Sequence, residues 1–550
     1  MRVGLQPTEL ADGVASRLAL GLLSVSLLVM GCSSPVQAPS SLAPPDRATF
    51  RFAQGPEPRT LDPAFITDAY ASFIAANLFE GLLVWNSAGT ELLPGLAARH
   101  ELGEDGASYT FHLRTDAIWS NGDPVTATDF VVAWRRVLDP EGGSPYAALL
   151  YPIRGARELH QGEVRDAALL GVEARDRHTL HVSLKHPSPW FPAICAHSIT
   201  APVNARALKR HGYAWTRPEN IVVNGAFTLH EWTQGKELIL ARNPYYYDAN
   251  AVKLDRVVAR VEASPEDVLA AYETGQLDWT GHAAGLLPLD RLGELAGRPD
   301  ARVHPQLGTS WFTLNTSEAP FSDVRVRRAL NLALNREDLV SLIGPLGVAT
   351  SRFVPPGMPD YESPRGPSFD PEGARGLLAE AGFAGGQDFP TIELAVDDRN
   401  VHKKVAHWVA ASWREHLGVE TTVFSRVWGV HADAVEKRDF QVARSGWLGD
   451  YPDPSNFLEL FLSDNAFNSA QWSDRAYDGM VRESGRTADS SSRLRLLAEA
   501  EAMLLEEAPI VPLFHFGAIS LLRPTVKGYV DNSLDVHLLK YLSIAEQSGS

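Results

Sequence analysis

Beyond one apolar run near its start, the chain has no stretch approaching 18 apolar residues, so nearly all of it must bury its hydrophobic side chains within a water-facing body. That run, Leu18 to Met30, is short of the about 20 residues a membrane helix needs. At 550 residues the chain also exceeds the roughly 250–300 at which a single hydrophobic core stops growing, so two or more lobes are expected. Its 67 acidic against 50 basic residues leave a net charge of -17, which argues against a nucleic-acid partner. Two cysteines, Cys32 and Cys195, are too few for a multi-cysteine zinc site.

The first segment reads as an address. Arg2 and Arg17 precede the apolar run, and Gly31-Cys32 end it, the layout of a signal peptide over residues 1–31. Val29-Met30-Gly31-Cys32 resembles a bacterial lipobox, with Met30 departing from the usual small residue, so Cys32 is expected to become a lipidated N-terminus. Acyl chains hold firmly because each buried CH₂ contributes about 0.8 kcal/mol. Residues 32–46 are rich in Pro and Ser and read as an extended tether. The body is therefore expected outside the cytoplasm, anchored through lipid to the cell membrane, with Cys195 a buried free thiol.

Alternation predicts strands at Tyr109–Arg114, Thr179–Lys185 and Thr391–Val396. Helical spacing is clearest over 401–417, where Val401, Val405, Trp408 and Val409 share a face and Gly418 stands where a left-handed stop belongs. A second helix is expected from Asp323, with Val326, Ala329, Leu330 and Ala333 inward. Such mixing implies α/β lobes with a cleft between them. No GxSxG, HExxH, P-loop or GxGxxG motif occurs, so the chain is not expected to be an enzyme, and neither cofactor nor metal is expected. His402-Lys403-Lys404 is odd: cations in a first helical turn oppose the helix dipole, which makes better sense facing an anion.

Six segments occur in order: Glu57-Pro-Arg-Thr-Leu-Asp-Pro63, Asn77-Leu-Phe-Glu-Gly-Leu82, Phe111 through Ile118-Trp-Ser-Asn-Gly-Asp-Pro124 to Phe130, Asn224-Gly-Ala-Phe with Asn243-Pro-Tyr-Tyr-Tyr247, Val324-Arg-Val-Arg-Arg-Ala-Leu330, and Gly446-Trp-Leu-Gly-Asp-Tyr-Pro-Asp-Pro454. Together the chain resembles the bacterial oligopeptide- and dipeptide-binding proteins of ABC importers. The resemblance implies an α/β, two-lobed periplasmic-binding-protein-like fold with an extra small domain and hinge closure around the ligand. Lobe I would hold residues 47–80, 205–307 and 515–545, the small domain 81–204, and lobe II 308–514. It implies a monomer that captures short peptides and delivers them to ABC permease subunits in the membrane. A nickel chelate, haem or sugar on the same scaffold, a sensing receptor, and a cell-wall peptide hydrolase are the alternatives.

A binder tolerant of peptide sequence must use what all peptides share: an ammonium, a carboxylate and a backbone. The resemblance puts Asp450 at the ammonium, and Arg444 and His402 at the carboxylate, where a guanidinium fork can bind both oxygens. It puts Trp447, Trp428 and Tyr146 in the cleft, with Thr67, Asp68 and Ala69 along one backbone edge and Gly446, Trp447 and Leu448 along the other. Val435 stands where some family members carry a further arginine, and Lys437 or Arg438 is the replacement considered.

Overall fold

The computed structural model describes residues 48–262, 264–281, 286–487 and 489–545. Pro45–Ser550 form one compact unit. The expected signal peptide, Cys32 and the whole of the tether lie outside the described residues. No helix among the described residues is long and apolar enough to cross a membrane.

Three main sheets organise the chain. A four-stranded sheet runs in the order Thr49–Ala53, Arg256–Arg260, Glu237–Arg242, Phe227–Thr233, its first pair parallel and the others antiparallel. A small antiparallel sheet joins Ala97–Leu102, Ser108–Leu113, Thr179–Ser183 and Val172–Ala174 in that order. The largest sheet has six strands, ordered Gly347–Ala349, Ile510–Leu521, Ala301–Leu314, Val442–Leu448, Ile392–Asp397 and Thr421–Arg426. The alternation read at 109–114 and 179–185 reflects one buried face: Tyr109, Phe111 and Leu113 point inward, as do Leu180 and Val182.

Two long strands, Ala301–Leu314 and Ile510–Leu521, pair antiparallel over most of their length. Their pairing slips between Pro305 and Thr309, where the first strand also meets the end of Val442–Leu448. The lobe boundaries expected at 307/308 and 514/515 therefore fall inside continuous strands. Trp279 stitches the sheets together beside these strands. It bridges Phe52 on one side and Leu522 on the other, and its indole N–H donates to Ser520 Oγ at 3.0 Å.

The helices follow their apolar spacing. Asn400–Leu417 buries Val401, Val405 and Val409, leaves Trp408 half-buried, and ends at Gly418 with φ 71°, a conformation glycine adopts without Cβ strain. Val324–Leu332 is capped by Asp323, whose carboxylate accepts from Arg325 N–H at 2.9 Å. Both helices cover the six-stranded sheet in one core with Phe312, Val396 and Trp413. Trp413 is fully buried and donates its N–H to Leu330 O at 2.9 Å, so its truncation to Ala would cost about 3–5 kcal/mol. Cys195 is a free, buried thiol in the other large core, and burial pushes its pKa well up.

Candidate functional site

A cavity of about 320 Å³ lies beside the end of the strand Val442–Leu448 and the start of the helix Ala69–Leu78, within the usual range for small-ligand clefts. All eleven residues expected in the cleft line it: Thr67, Asp68 and Ala69 from one wall, Tyr146, then Arg444, Gly446, Trp447, Leu448 and Asp450 from the opposing strand and its loop, and His402 and Trp428 beyond.

The strand Val442–Leu448 offers an edge. One side pairs along its whole length with residues 308–314. On the other side only Val442 and Ala443 are paired, with Leu394 and Ala395, and among the described residues 445–448 have no strand neighbour there. An open edge beside a cleft presents backbone N–H and C=O groups to an extended ligand. At Gly446 a Cβ would come within 2.9 Å of Arg444 Nη2 and Phe516 Cζ, so a larger residue would push both side-chain ends aside. Across the cleft, Asp68 caps the helix Ala69–Leu78, accepting from Ala71 N–H at 2.8 Å.

One end of the cavity is acidic. The Asp450 side chain is only 10% exposed and its Oδ1 lies 3.3 Å from His197 Nε2. Asn456 holds the loop: its Nδ2 donates to Asp450 Oδ2 at 3.0 Å, while its Oδ1 accepts from Asp450 N–H and from the Trp447 indole. Tyr146 stacks between His197 and Trp447, with ring centroids 5.6 and 5.8 Å away, and Phe467 meets Tyr146 and Trp447 edge-on at 5.1 Å. Burial, with Asp450 and then Asp68 adding negative charge nearby, pushes the Tyr146 hydroxyl well up. Both carboxylates thus act on this end.

The other end is basic, and its organiser is a residue the sequence reading passed over. Asp397, fully buried at the end of the strand Ile392–Asp397, pairs with His402 Nδ1 at 2.7 Å and Arg399 Nε at 2.9 Å, with Arg444 Nη1 at 3.9 Å. Burial alone would raise the Asp397 pKa, but His402 and Arg399 hold it far below the carboxylate range. Burial, then Arg444 and Arg399, lower His402 to about 3, so it is neutral and donates Nδ1–H to Asp397. Burial and the neighbouring Arg399 lower Arg444 to about 10. The buried cluster therefore sets two guanidinium cations against one carboxylate. Asp398, which also attracts Arg399, is exposed. Arg444 Nε is buried without a hydrogen-bond partner, an arrangement that favours an incoming anion. Arg399 also lies over the Trp428 ring at 5.1 Å.

Some expectations fall elsewhere. His402 turns inward, but Lys403 is half-buried, Lys404 is exposed, and neither lines the cavity. The anion that His402 of this turn meets is the chain's own Asp397. Lys437 and Arg438 are exposed and absent from the cleft lining, Arg438 bordering a separate cavity with Arg157 and Arg482 instead. His197, Asn456, Phe467 and Arg399 had no local signal, because each gains its role from partners distant in sequence or from a loop conformation.

Residues 91–469 match the family described as bacterial extracellular solute-binding proteins, family 5 Middle. The chain is 34% identical over 525 residues to the periplasmic oligopeptide-binding protein OppA of Salmonella typhimurium, covering 94% of this chain and 95% of that one. The murein tripeptide-binding protein MppA of Escherichia coli superposes with a TM-score of 0.86 at 30% identity, covering 91% of this chain and 99% of that one. Haemophilus influenzae OppA in complex with RPPGFSPFR gives 0.85 at 31% identity, with the same coverage. A match over most of the chain in sequence and in fold leaves one assignment: this chain belongs to the bacterial extracellular solute-binding proteins of family 5.

Proposed function

We propose that this chain is the substrate-binding component of an ABC importer, holding short peptides by backbone and charged ends and passing them to a membrane permease. The observation that carries the reading is an open strand edge at 445–448 with charges of opposite sign at its two ends. Asp450 takes the ligand ammonium, and Arg444, with His402 and Arg399 behind it, takes the carboxylate. Tyr146, Trp447 and Trp428 wall the cleft, and residues 67–69 and 446–448 pair with the ligand backbone. The names of the relatives, an oligopeptide-binding protein and a murein tripeptide-binding protein, point the same way.

The finer assignments rest on the sequence. Residues 1–31 act as a signal peptide, Cys32 carries the lipid, and 32–46 tether a monomeric body outside the cytoplasm. Lobe I comprises 47–80, 205–307 and 515–545, the small domain 81–204 and lobe II 308–514. The chain acts by binding rather than by catalysis. Native mass spectrometry of the purified protein tests the reading, with calorimetry against trialanine, N-acetyl-trialanine and trialanine amide. Peptides of a few residues should co-purify, and both blocked forms should bind more weakly than trialanine. Equal affinity for all three would overturn it.

A further inference from the structure

A second cluster of chemistry lies beside the cleft. His304, on the strand Ala301–Leu314, meets Asp535 and His537 from the C-terminal segment, and one ligand atom from each lies within 4.8 Å of the others. All three side chains are buried: His304 is 9% exposed, Asp535 6% and His537 3%. The His537 ring is fixed by stacking on Tyr529 at 4.6 Å and by the edge of Trp279 at 5.5 Å. Asp535 is held by Gln306 Nε2, which donates at 2.8 Å, and by His537 Nε2 at 3.0 Å.

His304 does not fit a satisfied core. Both its ring nitrogens are buried without a hydrogen bond, an arrangement that costs stability unless something else meets them. Asp531 Oδ1, 3.5 Å from His304 Nδ1, is likewise buried and without one. Arg302 reaches only the far oxygen, Oδ2, at 3.9 Å. His304, Asp535 and His537 thus cluster, with Asp531 against His304. The unmet groups are the two His304 nitrogens and Asp531 Oδ1, while His537 Nδ1 also lies 3.4 Å from Asn532 Nδ2 and its Nε2 3.3 Å from the Tyr529 hydroxyl.

We propose that His304, Asp531, Asp535 and His537 form a structural site for a divalent transition-metal ion of the zinc class. Two imidazole nitrogens and two carboxylate oxygens suit such an ion, whereas calcium and magnesium prefer all-oxygen shells. Zinc–ligand bonds of about 2.0–2.2 Å set tetrahedral ligands roughly 3.4 Å apart. The 3.5 Å between His304 Nδ1 and Asp531 Oδ1 already meets this, and side-chain rotations bring in the remainder. The ion fastens the C-terminal segment to the long strand Ala301–Leu314. Gln306, Asp535 and His537 also line the cleft, so the clamp sets the position of one cleft wall.

The test uses the full chain, stripped with chelator and titrated with zinc chloride alone by calorimetry. One ion should bind per chain, and the melting temperature should rise with the logarithm of free zinc. His304→Ala and, separately, Asp531→Asn should weaken binding at least about tenfold while the far-UV circular dichroism stays unchanged. Zinc X-ray absorption on the unmutated protein should report two imidazole ligands, a readout that survives if a variant fails to fold. No stoichiometric binding, binding unchanged in His304→Ala, or fewer than two imidazoles overturns the proposal. The titration contains no peptide, so its outcome is independent of trialanine binding.

Discussion

Replacing Asp450 with Asn removes one charge and almost no volume, which isolates the ammonium interaction. Asn456 can still donate to the remaining carbonyl oxygen, and its own Oδ1 still accepts from residue 450 N–H and from Trp447, so the loop should keep its shape. At about 4 Å and an effective dielectric near 20, an ammonium and a carboxylate attract by about 4 kcal/mol. Dehydrating the ammonium in a site where Asp450 is only 10% exposed offsets part of that. A charge-assisted hydrogen bond nets about 1.5–3 kcal/mol. The expected loss is about 2–3 kcal/mol, roughly 30- to 150-fold in Kd. Calorimetry with trialanine and N-acetyl-trialanine on both proteins forms a double-mutant cycle. Asp450→Asn should weaken trialanine by that factor and leave the acetylated peptide nearly unaffected. If the variant loses both peptides equally, or neither, Asp450 does not read the amine.

At the opposite end, Arg444→Ala should weaken trialanine about 10- to 100-fold in calorimetry and leave trialanine amide almost unchanged. Stability should depend on pH through two groups of opposite sign. Burial, with Arg352 adding, lowers His515 to about 4, so between about pH 6.5 and 4 the unfolded chain binds a proton the native state refuses. The contribution of this group falls by about 1.4 kcal/mol per pH unit as pH drops through that window, and His515→Gln should take that much from the slope of thermal melts, with His402 and Glu459 still contributing theirs. Burial, with Asp453 adding, raises Glu459 from 4.5 to about 7, so the native state keeps a proton the unfolded chain releases. Its contribution is lost as pH rises through that window, and Glu459→Gln should gain on the parent protein from pH 4.5 to 7. The Cys195 thiol should resist a thiol reagent until denaturant is added, read by peptide mass mapping.

Much of the candidate site's lining was legible through the family resemblance, carried most clearly by the Gly446–Pro454 segment, which keeps strand edge, tryptophan and acid within nine residues. Asp397 was not legible. As the last residue of an alternating strand followed by Asp398 and Arg399, it reads as the polar start of a loop, and only the return of the helix Asn400–Leu417 and the strand Val442–Leu448 surrounds it with cations. Lys403 and Lys404 misled for the same reason: a charge count along a helical turn does not say which of three neighbours faces inward. His197 and Asp450 are 253 residues apart, and nothing local to either predicts the pair. In the fold, strand and helix positions followed apolar spacing closely. The two long strands did not, because Ala301–Leu314 and Ile510–Leu521 are buried over long runs and carry no break at the expected lobe boundaries.

The basic end of the cleft is built by two strands of the six-stranded sheet and the helix Asn400–Leu417 that follows one of them, whereas the acidic end joins His197 and Tyr146 to Asp450 and Trp447, far away in sequence. On the reading proposed above, a ligand carboxylate would meet cations assembled on one side of the cleft, whereas its amine would meet a site that exists only where both walls come together. An open cleft would then hold the C-terminal end alone.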